Sequence, residues 1–345
     1  MTDALRDAVR RLMLGASLSS DETAAAFGCV MAGEGAPALV AGLLVGLRVK
    51  GETPAELAGA ARAMREAMVT VPVADPTGLV DTCGTGGGAV RTFNISTAAA
   101  LVAAGAGLRI AKHGNRSFTT RSGSADVLEA LGVAIDIPAA AMVEVLEDAG
   151  IVFMFAPTMH PAMRHVGPIR RDLGIETIMN MVGPLANPAC AGRQVVGVGD
   201  PARAELMAGA LAELGTTHSL VVHGSPGMDE VSPLGETAVI EVRGGVTRRW
   251  TIDPAEVGVS GHRAADLVGA EPEANARLVE AVLHGTAPPA AQDAVVLNAG
   301  AALLVGGRAT TLGAGMDVAR ESISSGAARQ ALERLRCASQ RRRPG

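Results

Sequence analysis

Apolar positions at the front of the chain recur at helical spacing: Leu5, Val9, Leu12 and Met13 fall three or four residues apart, the stripe of a helix with one buried face. Ser20 and the pair Thr53-Pro54 stand where helices begin, with a hydroxyl to accept from free first-turn amides and a proline at the first helical position. No strand pattern intervenes before Val71, so residues 1–72 are expected to form an all-helical domain. From Leu79 the rhythm changes to short apolar runs that close in glycine-rich turns. These are Leu79-Val-Asp-Thr-Cys, Leu108-Arg-Ile-Ala, Ile151-Val-Phe-Met-Phe, Gln194-Val-Val-Gly-Val and Ser219-Leu-Val-Val-His. Ala-rich helical segments such as 98–104 and 204–214 separate them and are long enough for right-handed crossovers. Strands alternating with helices predict a mainly parallel sheet.

The expected architecture is therefore α/β: a small all-helical domain plus a larger α/β domain with a mainly parallel central sheet. Residues 158–188 lie between two strand candidates yet read as helix and loop, so they are expected to return to the front helices. The α/β domain is then 73–157 together with 189–345. Its end, 297–335, is helical again, and the last residues, Arg341-Arg-Arg-Pro-Gly, are expected to be a solvated tail.

Composition narrows the function classes. With 48% apolar residues in 345, the chain can bury a full core. With 43 Gly, no Tyr and 5 Phe, its chemistry should rest on polar loops and turns rather than on aromatic surfaces. The net charge of -5 argues against a sequence-independent grip on nucleic acid. The opening residues lack the basic and apolar regions of a secretory leader, and no apolar run reaches about 18 residues, so a cytoplasmic protein without a membrane span is expected. Cys29, Cys83, Cys190 and Cys337 are far apart with no paired metal spacing and read as reduced thiols.

Two loops carry the candidate chemistry. The first runs from Asp81 to Thr97, a strand end, a glycine loop and a helix start. Gly84, Gly86, Gly87 and Gly88 allow close backbone approach, and Ser96 and Thr97 lie where a helix N-terminus favours an anion. Such a loop suits a phosphate or pyrophosphate but matches neither Walker A nor a dinucleotide fingerprint, and glycine turns of this kind also serve packing. The second loop, from Lys112 to Asp126, gathers three cations and five hydroxyl residues. That donor density suits a polyanion, as it does a solvated polar loop. Asp229-Glu230, after a glycine-rich turn, reads either as a magnesium corner or as a solvated acidic one, and Arg170 either as a carboxylate fork or as an ordinary partner of Asp172. His160 and His165 lack the spacing of a zinc-binding helix.

Taken together, Gly-Thr-Gly-Gly, Asn94-Ile-Ser-Thr97, Lys112-His-Gly-Asn-Arg116, Ser122-Gly-Ser-Ala-Asp126, His160-Pro-Ala-Met163, Gly183-Pro-Leu185, Asn187-Pro188 and Asp229-Glu230 resemble, in order, the motifs of anthranilate phosphoribosyltransferases. The resemblance covers about residues 5–335 and is more specific than any single motif. It implies transfer of a phosphoribosyl group from 5-phosphoribosyl 1-pyrophosphate to the amine of anthranilate, in tryptophan biosynthesis, by a homodimer joined through the helical domain. It assigns Gly84, Gly87, Thr92, Asn94, Ile95, Ser96, Thr97, Lys112 and Ser124 to phosphoribosyl pyrophosphate. The same pocket is lined by His113, Gly114, Asn115, Arg116, Ser117, Phe118, Thr119 and Thr120. Ser96, Asp229 and Glu230 are assigned to magnesium, Asn115 and Arg170 to the acceptor, and His160 and Pro184 to its surroundings. Lys112, Asn115 and Arg170 are the implied catalytic groups. Gly88 departs from the pattern, because the family usually carries Asp there; only its backbone amide can take part in binding.

Three other functions share this pattern: the same transfer onto a substituted anthranilate, a pyrimidine nucleoside phosphorylase, and a non-catalytic nucleic-acid-binding relative. The phosphorylase would need a phosphate-sized site with a nucleobase pocket, which Arg170, Asn115 and the acidic pair do not suggest. A nucleic-acid binder would need a basic surface and a decayed site, and the expected polar positions are filled.

Overall fold

The computed structural model describes residues 2–117 and 121–343. Four helices open the chain: α1 (Thr2–Met13), α2 (Ser20–Met31), α3 (Pro37–Lys50) and α4 (Pro54–Ala67). The start near Ser20 is capped by the preceding Ser19 in a capping box with Glu22, and Thr53 forms the same box with Glu56. Glu56 is fully buried and also takes the Leu18 amide at 2.9 Å and Lys50 Nζ at 3.0 Å, which fastens the ends of three helices together.

After β1 (Val80–Gly84) come α5 (Ile95–Gly105), β2 (Ile110–Gly114), α6 (Ser124–Ala130), α7 (Ala139–Ala149) and β3 (Ile151–Phe155). Three helices follow, α8 (Ala156–Met159), α9 (Met163–Leu173) and α10 (Met179–Leu185), then β4 (Arg193–Gly197), α11 (Ala204–Glu213) and β5 (His218–Gly224). The remainder is β6 (Thr237–Arg243), β7 (Val246–Ile252), α12 (Pro272–Leu283), α13 (Pro289–Val305), α14 (Leu312–Ser324) and α15 (Ala327–Gln340). The sheet order is β3-β2-β1-β4-β5-β6-β7, parallel through β5 and antiparallel beyond it.

Each face of the sheet has its own core. On one face, Leu101, Val145, Leu297 and Leu335, from α5, α7, α13 and α15, pack with β-strand residues such as Val80 and Val152. On the other, α11 and the front helices share a cluster that includes Phe27, Leu44, Leu57, Val196 and Leu211. Val166 of α9 and Val182 of α10 belong to this second cluster, so the segment after β3 packs against the front helices.

Two features differ from the sequence reading. The β6–β7 hairpin went unread because β7 is nearly all exposed and carries Arg248 and Arg249 without alternation. Its signal was Gly244-Gly245, whose φ angles of 56° and 79° suit a tight hairpin turn. The basic end is not a free tail as far as residue 343. Arg342 meets Glu144 and Asp148 at 2.9 Å each and Arg341 meets Asp148 at 3.2 Å, both acids on α7, and Arg343 meets Asp136, just before α7, at 3.4 Å. Among the described residues no helix is long and apolar enough to cross a membrane, and none of the four cysteines is in a disulfide.

Candidate active site

Strand order reverses between β1 and β4, whose neighbours extend the sheet in opposite directions. The crevice beyond the carboxyl ends of two such strands is the place where open α/β sheets bind ligands. Three neighbouring strands end there in glycine, Gly84, Gly197 and Gly224. Each is needed for space. A Cβ on Gly84 would lie 2.5 Å from Asp229 Oδ2, one on Gly197 1.7 Å from the Asp229 carbonyl oxygen, and one on Gly224 2.5 Å from the Glu230 carbonyl oxygen. The strand ends thus form a bed for the segment that carries the acidic pair. Gly197 and Gly224 were not singled out from sequence, although glycine closing successive strand runs was the available signal.

The glycine loop folds over this bed. Gly86 and Gly87 have φ of 73° and 80°, a backbone that glycine adopts without strain. The Thr85 amide donates to Gly197 O at 2.8 Å, the Gly86 amide to Asp229 Oδ2 at 3.1 Å and the Ala89 amide to Gly227 O at 2.8 Å. At the start of α5, the Ser96 amide donates to Glu230 Oε1 at 3.2 Å. The loop, the helix N-terminus and both carboxylates therefore share one small volume. Arg91, by contrast, is exposed.

Lys112, on β2, is buried with its ammonium against Thr82 O and 3.4 Å from Ser96 Oγ. Burial pushes this ammonium below its ordinary value, and the Asp81 and Glu230 carboxylates push back. Asp81 is fully buried beneath it and accepts from the His113 amide at 3.2 Å and from Asn187 Nδ2 at 2.8 Å. Asp81 and Asn187 thereby fix the end of β2. Burial raises Asp229, and burial together with Asp229 raises Glu230 to about 8, opposed by Lys112 and the Ser96 amide. Two neighbouring carboxylates in such a place call for a cation. No cluster of three or more His, Cys, Asp or Glu suited to a metal occurs among the described residues. With the Ser96 hydroxyl, the pair offers hard oxygen donors for part of a shell, the kind of partial site that magnesium completes with water and phosphate.

The second loop is tied at its ends. Asp126 accepts from Gly123 N at 2.8 Å and Ser117 N at 3.2 Å and pairs with Arg116 at 2.8 Å. Arg116 also pairs with Glu129 and lies 5.5 Å above the Phe155 ring, so its guanidinium is engaged by this loop and α6. The Asn115 carbonyl accepts from Ser124 Oγ at 3.3 Å, and Asn115 Oδ1 from the Arg116 amide at 2.8 Å. Gly114 is required beneath, since a Cβ there would lie 2.1 Å from Ser124 Oγ. Asn94 bridges the two loops: its Nδ2 donates to Ser122 O at 3.2 Å, and its Oδ1 accepts from the buried Asn275 of α12 at 3.0 Å. Asn275 had no role in the sequence reading; a lone amide near a helix start carries little signal. Phe118, Thr119 and Thr120 lie outside the described residues.

The remaining expected residues are spread around this centre. Thr92 bridges to Val268, Thr97 is buried at the helix start, and the Ile95 side chain is buried in the core, so Ile95 can face a ligand only through its backbone. His113 and His160 meet Nε2 to Nε2 at 3.1 Å. Burial, with smaller contributions from the charges of His160 and Lys112, pushes His113 down to about 3, and burial pushes His160 down to about 4. The α10 backbone closes on this pair, and the Pro184 carbonyl accepts from Gln194 Nε2 at 2.8 Å. Arg170 is half-buried on α9, and its Nη2 donates to Asn180 Oδ1 at 3.2 Å. Burial lowers its pKa as well. On the same side, Glu176 reaches within 3.9 Å of a Cβ built on Gly87, which brings the α9–α10 turn to the glycine loop.

Residues 76–329 match the α/β domain of a glycosyl transferase family, and residues 6–68 match the helical bundle domain of that family. The chain is 49% identical over 332 residues to an anthranilate phosphoribosyltransferase of a Roseiflexus species, covering 96% of this chain and 97% of the relative. Among solved structures, the anthranilate phosphoribosyltransferase of Thermus thermophilus superposes with a TM-score of 0.91 at 44% identity, covering 97% of this chain and 99% of that one. The enzyme of Saccharomyces cerevisiae in complex with phosphoribosyl pyrophosphate and magnesium superposes with a TM-score of 0.90 at 28% identity, covering 99% of each chain.

Proposed function

The chain belongs to the anthranilate phosphoribosyltransferase family, and we infer that it moves the phosphoribosyl group of 5-phosphoribosyl 1-pyrophosphate onto the amine of anthranilate, in tryptophan biosynthesis. A bond forms between the amine nitrogen and the anomeric carbon while the bond from that carbon to pyrophosphate breaks. The aromatic amine carries its lone pair at neutral pH, so no strong base is needed to begin.

The observation that carries this reading is the convergence of two carboxylates, the glycine loop, the N-terminus of α5 and Lys112 at one strand-end crevice. Gly84, Gly87, Gly88 and the helix start at Asn94, Ser96 and Thr97 hold the pyrophosphate. Lys112 supplies a buried positive charge toward it. Asp229, Glu230 and the Ser96 hydroxyl are suited to hold magnesium, which when bound neutralises charge on the leaving pyrophosphate. Arg170 takes the anthranilate carboxylate in its planar fork, with Asn115, His113, His160 and Pro184 around the ring. The polar side chains orient both substrates in line. The same reading makes the protein a cytoplasmic homodimer, and the exposed Met13, Leu14 and Val49, on or just after the front helices, support the dimer.

The test is loss of anthranilate fluorescence on mixing protein, magnesium, phosphoribosyl pyrophosphate and anthranilate. Turnover should need all four. Arg170→Ala should raise the KM for anthranilate about thirtyfold, the cost of ~2 kcal/mol for a charged hydrogen-bonded pair, with little change for phosphoribosyl pyrophosphate. Equal weakening of both substrates would contradict the acceptor assignment, and phosphorolysis of a pyrimidine nucleoside without transfer to anthranilate would contradict the function.

A further inference from the structure

The acidic pair sits on a strap, residues 229–233, that is not part of the sheet. Something else must satisfy its backbone. That partner is Asn298, in the middle of α13, whose side chain is 3% exposed. Asn298 Oδ1 accepts from the Val231 amide at 2.9 Å, and Asn298 Nδ2 donates to the Val231 carbonyl at 2.9 Å. Its second amide hydrogen goes to Ala294 O at 2.8 Å. The carboxamide thus pairs with Val231 as a neighbouring strand would, and the donor and acceptor sides fix its orientation. Val231 directly follows Glu230. From the other side the strap is held at Ser232, whose amide donates to Thr237 Oγ1 at 2.9 Å. The sequence marks the place: Asn298 is the polar residue in the otherwise apolar run from Ala294 to Val305.

We propose that Asn298 is a positioning residue for the metal corner, holding the strap so that Asp229 and Glu230 face the glycine loop and the N-terminus of α5 together. The inference rests on the assignment of magnesium to these carboxylates. Asn298 is buried with its carboxamide engaged by Val231 and Ala294, and so it acts through the strap. Its loss leaves the Val231 amide and carbonyl without their buried partners, and the carboxylates lose their common orientation.

Calorimetric titration of phosphoribosyl pyrophosphate into the full-length protein, with and without magnesium, tests this without relying on turnover. Asn298→Ala should weaken binding about tenfold or more when magnesium is present, as expected for loss of two buried hydrogen bonds. It should change binding little without magnesium and leave the KM for anthranilate nearly unchanged. Asn298→Ser, which keeps one hydroxyl in the place, should show a smaller defect of the same kind and serves if the alanine variant does not fold. Leu303→Ala, a fully buried change on the same helix, should lower the unfolding temperature yet keep the parental response to magnesium. An Asn298 variant that responds to magnesium as the parent does, or is weakened equally with and without it, overturns the positioning role. A parent indifferent to magnesium overturns both this role and the metal corner.

Discussion

Gly88 is the residue at which this chain leaves the pattern it otherwise resembles, and the structure shows what stands around it. A Cβ there would lie 3.0 Å from Gly227 O and 3.1 Å from Asp229 Oδ1. Its φ is not left-handed, so the backbone itself admits a side chain, unlike that of Gly86 or Gly87. Backbone freedom is then not what glycine supplies here; a side chain brings a tight contact with Gly227 O and, as Asp, an added charge. Gly88→Asp adds a third carboxylate beside Asp229 and should lower the magnesium needed for half-maximal rate by about fivefold, ~1 kcal/mol of electrostatic interaction at such a distance. Gly88→Ala should leave the magnesium curve in place. Superimposable magnesium titrations of the parent and both variants would show that this position has no part in metal binding. Sequence exposed the missing acid but not its neighbour, because Asp229 is 141 residues away along the chain and meets the loop only through the β1–β4 switch point.

At the scale of elements, the buried histidine pair joins the end of β2 to the segment after α8. One hydrogen lies between the two Nε2 atoms, and a doubly protonated pair would set one N–H against the other. Both rings are held well below the ordinary value of 6.5. A base with a depressed folded-state pKa contributes stability that is whole above 6.5 and is lost as pH falls toward 4 and then 3. The pair titrates as a unit. Denaturant midpoints measured from pH 7 to 4 should fall for the parent, and His160→Gln should flatten that slope while costing stability at pH 7. An unchanged slope would place the acid sensitivity elsewhere. The strands of the parallel sheet were legible because each is a compact run, four of the five ended by glycine and β3, Ile151–Phe155, apolar throughout. The edge strand β7 was not, since an exposed antiparallel edge needs no apolar alternation. The capped starts of α2 and α4 were legible from single hydroxyls, whereas the docking of Arg341 and Arg342 on α7, and of Arg343 on Asp136 before it, depends on acids about two hundred residues earlier, which local pattern cannot connect.

Across the whole molecule, the site is assembled from parts that lie far apart in sequence and are brought to one crevice by strand order. The motifs named its chemistry; the bed of Gly84, Gly197 and Gly224 and the buttresses Asn187, Asn275 and Asn298 needed the fold, because each meets a group distant in sequence. Met228 and Val231 belong to the first core, but the Asp229 and Glu230 side chains between them belong to neither, so the two carboxylates can be removed while the fold persists. The most direct test of the account is the rate of anthranilate consumption across a magnesium titration for the Asp229→Ala, Glu230→Ala double variant. Turnover should fall at least about a hundredfold at every magnesium concentration, given the several kcal/mol that metal-assisted charge stabilisation supplies, with an unfolding temperature close to that of the parent. A folded double variant that consumes anthranilate at near the parental rate in moderate magnesium would contradict it.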